Sequence, residues 1–331
     1  MNNAKNNALI LIFSILSIIC IFKSEVIKNA VVEAIFICIN SIIPSLYTVT
    51  FLITVIIRSG AITSFGNRFA VLIMFALSQI AGYPVGAKLL SVAVENEIIS
   101  QKDAEKILPT MICAGPPFVI TVIGIQKLGS NKIGVRLYII MIISNLLLFL
   151  ILSGFKIKTQ NNILIPIKFK DNIFLSVKET ARCVMNICLF LILLYSLNSV
   201  VSLYLPAKIS TIVGCIIEVT GGALKSNNIY IICAAVSFSG LCVIMQVINN
   251  AVNIKPSYLK IIIFRILAAF ISVLLLKISF SIFPIATPVI SNLSTTLDLT
   301  FGGGVGFIIS LVISTIVFMI SIKSFTLHNK V

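Results

Sequence analysis

Residues 132–153, 184–205, 230–252, 259–283 and 305–322 of this chain are long, predominantly apolar runs. A hydrocarbon core about 30 Å thick is crossed by about 20 helical residues, so each run is long enough to span it. Shorter apolar runs at 8–22, 41–57 and 69–80 either span as well or dip in and return, which predicts seven to nine membrane segments. Composition agrees: of 331 residues 59% are hydrophobic and only 11% charged, too little charge for the water-facing surface of a soluble globular domain. The expected fold is all-α, a polytopic integral membrane protein.

Within this apolar chain two short strings break the helical pattern. The first is Ala81-Gly82-Tyr83-Pro84-Val85-Gly86-Ala87-Lys88, and about thirty residues on comes Cys113-Ala114-Gly115-Pro116-Pro117-Phe118. Pro84 lacks an amide donor and clashes one turn back, so no regular helix is expected through it. Pro117 disfavours helical geometry at Pro116, which predicts a helix ending there and another starting near Phe118. Unpaired backbone groups in lipid cost several kcal/mol each, so irregular backbone at membrane depth must pack on protein or line a wet cavity. On that reading amides freed near Gly82 and Gly86, with Lys88 beside them, face a polar or anionic solute. The second string reads as the tip of a helical hairpin at membrane depth or as a simple surface turn, and a plain loop is the simpler alternative at the first. Between them, Ser100-Gln101-Lys102-Asp103 reads as a capping box that opens a helix, and with Glu95 and Glu97 ahead of it the segment reads as a short interfacial or cytoplasmic helical hairpin.

The second half repeats these landmarks in order. Val177-Lys178-Glu179 with Asn186 echoes Val31-Val32-Glu33 with Asn40. Glu218-Val219-Thr220-Gly221-Gly222-Ala223-Leu224-Lys225 supplies a glycine break followed by lysine, and Ser237-Phe238-Ser239-Gly240 a second small-residue break. Glu218 falls in the last turn of an expected helix 209–219, with Gly221 and Gly222 as its C-terminal stop. Gln246, Asn249 and Asn250 add uncharged donors and acceptors, as do Asn40, Ser41 and Ser45 in the first half. Interhelical hydrogen bonding explains such amides equally well. Glu33 and Glu179 near the starts of apolar helices read either as solvated interfacial carboxylates or as paired acids with a function. The expected organisation is an N-terminal membrane helix at 1–25, a first half at 26–153, a basic cytoplasmic linker at 154–174, a second half at 175–254 and a C-terminal helix pair at 255–331. Lys5 before the first run, and Lys23, Glu25 and Lys28 after it without a small-residue cleavage site, favour a retained helix over a signal peptide.

Residues 154–182 carry Lys156, Lys158, Lys168, Lys170, Lys178 and Arg182, whereas 278–322 contain no Lys or Arg. The positive-inside preference places the first segment and the C-terminus in the cytoplasm and residues 283–304 outside. The formal charge of +15 is spread over loops without a basic, aromatic-laced stripe, so anionic lipid rather than nucleic acid is its expected partner. Eight cysteines without CxxC spacing and a lone His328 argue against a metal site, and no cofactor motif is present. Catalysis has no support: no serine or cysteine has a base nearby in sequence, and the carboxylates are scattered.

The set Ile43-Pro44-Ser45-Leu46, Ser59-Gly60, the Gly82 to Lys88 string, Pro116-Pro117-Phe118, Glu218 to Gly222 and Gly240-Leu241-Cys242-Val243-Ile244-Met245-Gln246 resembles the YlbJ-type sporulation integral membrane proteins. These are grouped with the nucleoside-recognition, or Gate, domains, and the similarity covers residues 36–250. The resemblance implies two Gate-like pseudo-repeats with broken or re-entrant helices. It further implies a membrane protein of an endospore former, in the mother-cell or outer forespore membrane, needed for resistant spores. Such proteins often carry His ahead of the second-half Gln; Ile244 stands there in this chain, so no His-dependent step carries over. The resulting expectation is a transporter-like or channel-like protein moving a small polar solute, nucleoside-like or anionic. Its candidate contacts are Gly82, Tyr83, Pro84, Gly86, Lys88, Gly115, Pro116, Pro117, Glu218, Thr220, Gly221, Gly222, Ser239, Gly240 and Gln246. The alternative is a non-transporting structural component that binds other sporulation membrane proteins, and either reading accommodates a homo-oligomer.

Overall fold

The computed structural model describes residues 14, 17–58, 67–153 and 169–284. Residues 305–322, 154–168, the C-terminus and most of 8–22 lie outside the described residues, as do the side chains of Ser41 and Ser45. The described chain is helical throughout, with no strand. Four helices within it are long and apolar enough to cross a membrane: Asn131–Ser153, Asp171–Ser202, Ile229–Asn250 and Tyr258–Ile282.

Helix α1, Ser24–Ile37, continues through a wide turn, Cys38–Ile42, into α2, Ile43–Arg58. This rod lies antiparallel along α8, Phe169–Ser202. Cys38 Sγ faces Cys188 O at 3.9 Å, and seventeen residues further on Val55 O accepts from Asn172 Nδ2 at 3.1 Å, sixteen residues back along α8. Small side chains allow the approach: Ala30, Ala34 and Cys38 pack against Val184, Cys188 and Leu191. At 34 residues, α8 is about 50 Å long at 1.5 Å per residue. That exceeds the about 30 Å core, so the helix must tilt or project from it. Lys170, Lys178 and Arg182 therefore belong to a helix, not to the basic loop expected over 154–182, and α8 begins at Phe169, inside the linker expected at 154–174.

The next elements double back. Helix α3, Asn67–Ala81, and α4, Val85–Glu95, meet at Gly82-Tyr83-Pro84, where the Tyr83-Pro84 peptide is cis. In a straight helix Ser78 and Gly86 would lie about 12 Å apart, yet a Cβ at Gly86 would come within 2.9 Å of Ser78 Cβ. The Gly82 string is thus the tip of an antiparallel helical hairpin. Helix α5, Gln101–Ile107, is capped as the sequence predicts: Asp103 N donates to Ser100 Oγ, which donates in turn to the Asp103 carboxylate. It tightens through Leu108–Met111, opens into extended chain over 112–115, and resumes as α6, Pro117–Lys127, wound wide in the π manner. Pro116 itself has helical angles (φ −56°, ψ −38°), so the break precedes it, contrary to the expectation from Pro117. Helix α7, Asn131–Ser153, follows.

A second hairpin consists of α9, Ala207–Ile217, and α10, Val219–Lys225, folded about Glu218. Gly222 packs directly on the backbone of Gly214 and Cys215. The pair Gly221-Gly222 therefore lies inside α10 as a contact surface, not at a C-terminal stop, and α9 ends at Ile217, ahead of Glu218. Helix α11, Ile229–Phe238, and α12, Gly240–Asn250, form one span interrupted at Ser239 and Gly240, both left-handed. Helix α13, Tyr258–Ile282, closes the described fold.

Polar contacts mark each end of the molecule. At one end Asn253 reaches Ser91 and Glu95, Gln101 reaches Ile254 O, and Lys260 pairs with Glu105 at 2.9 Å. At the other, Lys127 donates to Asn227 at 3.1 Å and Arg136 to Phe283 O at 2.7 Å.

Candidate functional site

Both hairpin tips abut the interruption that follows them in sequence. Gly82 has φ +76°, a conformation that glycine adopts without cost, and a Cβ there would come within 2.9 Å of Gly115 N. In the second half Gly240 lies against Val219 N and the carbonyl end of α9. Tyr83 Oη then crosses between the halves, donating to Val236 O in α11 at 3.3 Å.

Where these four irregular segments meet the wide turn after α1 and the middle of α8, they line a partly open cavity of about 300 Å³. Glu218, buried to 1% exposure, is part of the wall. Its oxygens accept from Thr220 N at 2.8 Å and Gly221 N at 2.6 Å, so the acid caps its own following helix. Asn40, Thr121, Gln126, Thr220 and Gln246 add polar groups; Tyr83, Phe118, Leu46 and Leu191 give the apolar surface.

Of the residues singled out from sequence, Tyr83, Gly115, Pro117, Glu218, Thr220 and Gln246 line this cavity. The others serve its walls from behind. Gly82 and Pro84 shape the first tip, Gly86 packs on Ser78 and Met111, and Pro116 starts α6 without reaching the lining. Gly221 meets the Tyr195 ring, Gly222 meets α9, and Ser239 and Gly240 form the second interruption.

Lys88 is placed elsewhere. Its ammonium pairs with Glu179 at 2.5 Å, and Arg58 shares the same carboxylate. Glu179 is therefore a paired acid joining the first hairpin to both long helices, and no amine projects from α4 into the cavity.

One residue that sequence reading passed over organises the region. Arg265, in the middle of the apolar helix α13, is 1% exposed. It donates to Pro109 O at 3.2 Å, Asn145 Oδ1 at 2.9 Å, Ser239 Oγ at 3.1 Å, and to Ser237 O. Asn145 extends the network to Gln79 Oε1 at 2.9 Å and Ile112 O at 3.3 Å. A single guanidinium thus meets carbonyls ahead of both interrupted spans, where helix ends carry partial negative charge. The available signal was a lone arginine inside a membrane-length apolar run.

Comparison with protein-family models, curated proteins and solved structures gives no match for this chain.

Proposed function

We propose that the chain is a transporter-like or channel-like membrane protein that passes a small polar solute through the cavity between its two halves. The observation that carries this reading is convergence: both hairpin tips and α6 and α12, which follow the two interruptions, contribute to one partly open, part-polar cavity. Interrupted helices meeting at such a site are a recurring plan of solute carriers.

The order of elements supports a repeat. In each half a long rod, a hairpin, an interrupted span and an unbroken helix follow one another, the rods being α1–α2 and α8. With the basic segment at 154–168 in the cytoplasm, the first hairpin enters from the cytoplasmic end and the second from outside. The halves are then inverted copies, and the two polar ends described above are the two membrane faces. A role in endospore formation rests on the YlbJ-type resemblance of the sequence.

The test is uptake by purified protein in liposomes, offered labelled nucleosides and amino acids. Accumulation above empty liposomes is expected, and Thr220→Phe, which fills the cavity, is expected to abolish it without loss of folded protein. Uptake unaffected by the filled cavity would overturn the reading. For the biological role, loss of the gene in a spore former is expected to lower the yield of heat-resistant spores.

A further inference from the structure

Several donors on the cavity wall are already engaged. Asn40 spends an amide N–H on Phe36 O at 2.9 Å, Gln246 spends one on Cys242 Sγ at 3.3 Å, and Tyr83 Oη donates to Val236 O. The amides of Thr220 and Gly221 are taken by Glu218 itself. These bonds leave the Asn40 and Gln246 amides one N–H and a carbonyl each, and leave the Glu218 carboxylate its remaining lone pairs. Thr121 and Gln126 can serve either way.

Charge points the same direction. Among the described residues no cation makes an ion pair with Glu218. Lys88 is held by Glu179, Arg265 by carbonyls and Asn145, and Lys127 by Asn227, while Lys225 lies over the Tyr195 ring at 6.0 Å and acts on Glu218 only through space, without an ion pair. None of these four lines the cavity. The place where helix amides would draw an anionic solute is already filled by the Glu218 carboxylate. A carboxylate held away from water calls for a positive partner.

Resting on the reading of this cavity as a solute site, we propose that it selects an organic cation, a primary ammonium or guanidinium whose N–H groups meet Glu218 and the Asn40 and Gln246 carbonyls. At about 300 Å³ the space far exceeds a bare inorganic ion. Tyr83 and Phe118 supply aromatic faces that favour a cation with an organic body.

The experiment uses the full chain in nanodiscs and thermal unfolding with three matched series: alkyl- and phenylalkylammonium ions, the corresponding alcohols and the corresponding carboxylates. The ammonium series is expected to raise the unfolding temperature at concentrations at least tenfold below the alcohols, with no shift from the carboxylates. Glu218→Gln keeps an acceptor for the helix amides, and it is expected to weaken ammonium binding about tenfold or more, roughly 1.4 kcal/mol, with alcohol binding nearly unchanged. The wild-type ranking stands as a test even where that variant folds poorly.

Equal or tighter binding of carboxylates overturns the proposal, as does full protection by sodium ions alone. Binding of nucleosides or alcohols without any ammonium preference sinks the cation while leaving the solute site intact. Silence from every series, with no shift from nucleosides or amino acids, removes both.

Discussion

At the scale of single residues, glycines of similar appearance in the sequence do different work. A Cβ at Gly222 would collide with the backbone of Cys215, which has no side-chain freedom with which to yield. At Gly115 the nearest atoms to such a Cβ stand at 3.7 Å, ordinary contact distance. Gly222→Ala is therefore expected to destabilise the second hairpin by about 1–3 kcal/mol, the usual cost of overpacking, read as a lower unfolding temperature in detergent. Gly115→Ala is expected to stay within about 0.5 kcal/mol of the parent; equal losses at both positions would contradict the packing described. The sequence marked both glycines as breaks, because spacing reports where a small residue stands and not which neighbour it admits. Lys88 was misplaced for the same reason, since its partner Glu179 is ninety-one positions away (179 − 88). Glu218 was legible as an acid beside a break, but not as a buried one. Its role as the cap of α10 was not, since a Gly pair after an acid reads locally as the end of a helix.

Among the elements, what needs explaining is how two interrupted spans hold their shape when their helix ends face one another away from water. Arg265 accounts for much of it, because one planar guanidinium reaches Pro109 O ahead of the first interruption and Ser237 O ahead of the second. Arg265→Leu would leave those carbonyls, Asn145 Oδ1 and Ser239 Oγ without their donor. With about 1–3 kcal/mol for each buried group left unsatisfied, a loss of at least about 3 kcal/mol is expected, measured as thermal stability in detergent. Arg265→Lys is expected to recover only part, since an ammonium cannot fork across acceptors on different helices. Full stability in Arg265→Leu would show that water or a local shift supplies the missing bonds. The capping box at Ser100 and the Pro84 and Gly115 interruptions were readable because their causes lie within a few residues. The hairpins were misplaced: the tip expected at Gly115 to Phe118 is an interruption between Met111 and Pro117, and the hairpins turn at Gly82 to Pro84 and at Glu218, because a turn and a kink share the same Gly and Pro signals and only the packing of Gly86 on Ser78 and of Gly222 on Gly214 distinguishes them.

For the whole molecule, the proposed inverted arrangement makes a statement about sidedness that the four membrane-length helices do not make alone. The turn after α8 and the turn after α12 stand at opposite ends, the first beside the start of α9 and the second beside Ser91 and Gln101. If the basic segment at 154–168 is cytoplasmic, Tyr204 faces the outside and Val252 the cytoplasm. Both are well exposed, at 66% and 70%, so cysteine at either position should react readily with a thiol reagent. The background is low, since seven of the eight native cysteines are buried in the fold. In intact cells a membrane-impermeant maleimide is expected to label Tyr204→Cys and to leave Val252→Cys untouched until the membrane is permeabilised. Reversal of that pattern would turn the whole molecule over and exchange the faces from which the hairpins enter, with the cavity and its lining unchanged. Labelling of both from the same side would be incompatible with α11 and α12 forming a single interrupted span, and with it the inverted repeat would fall.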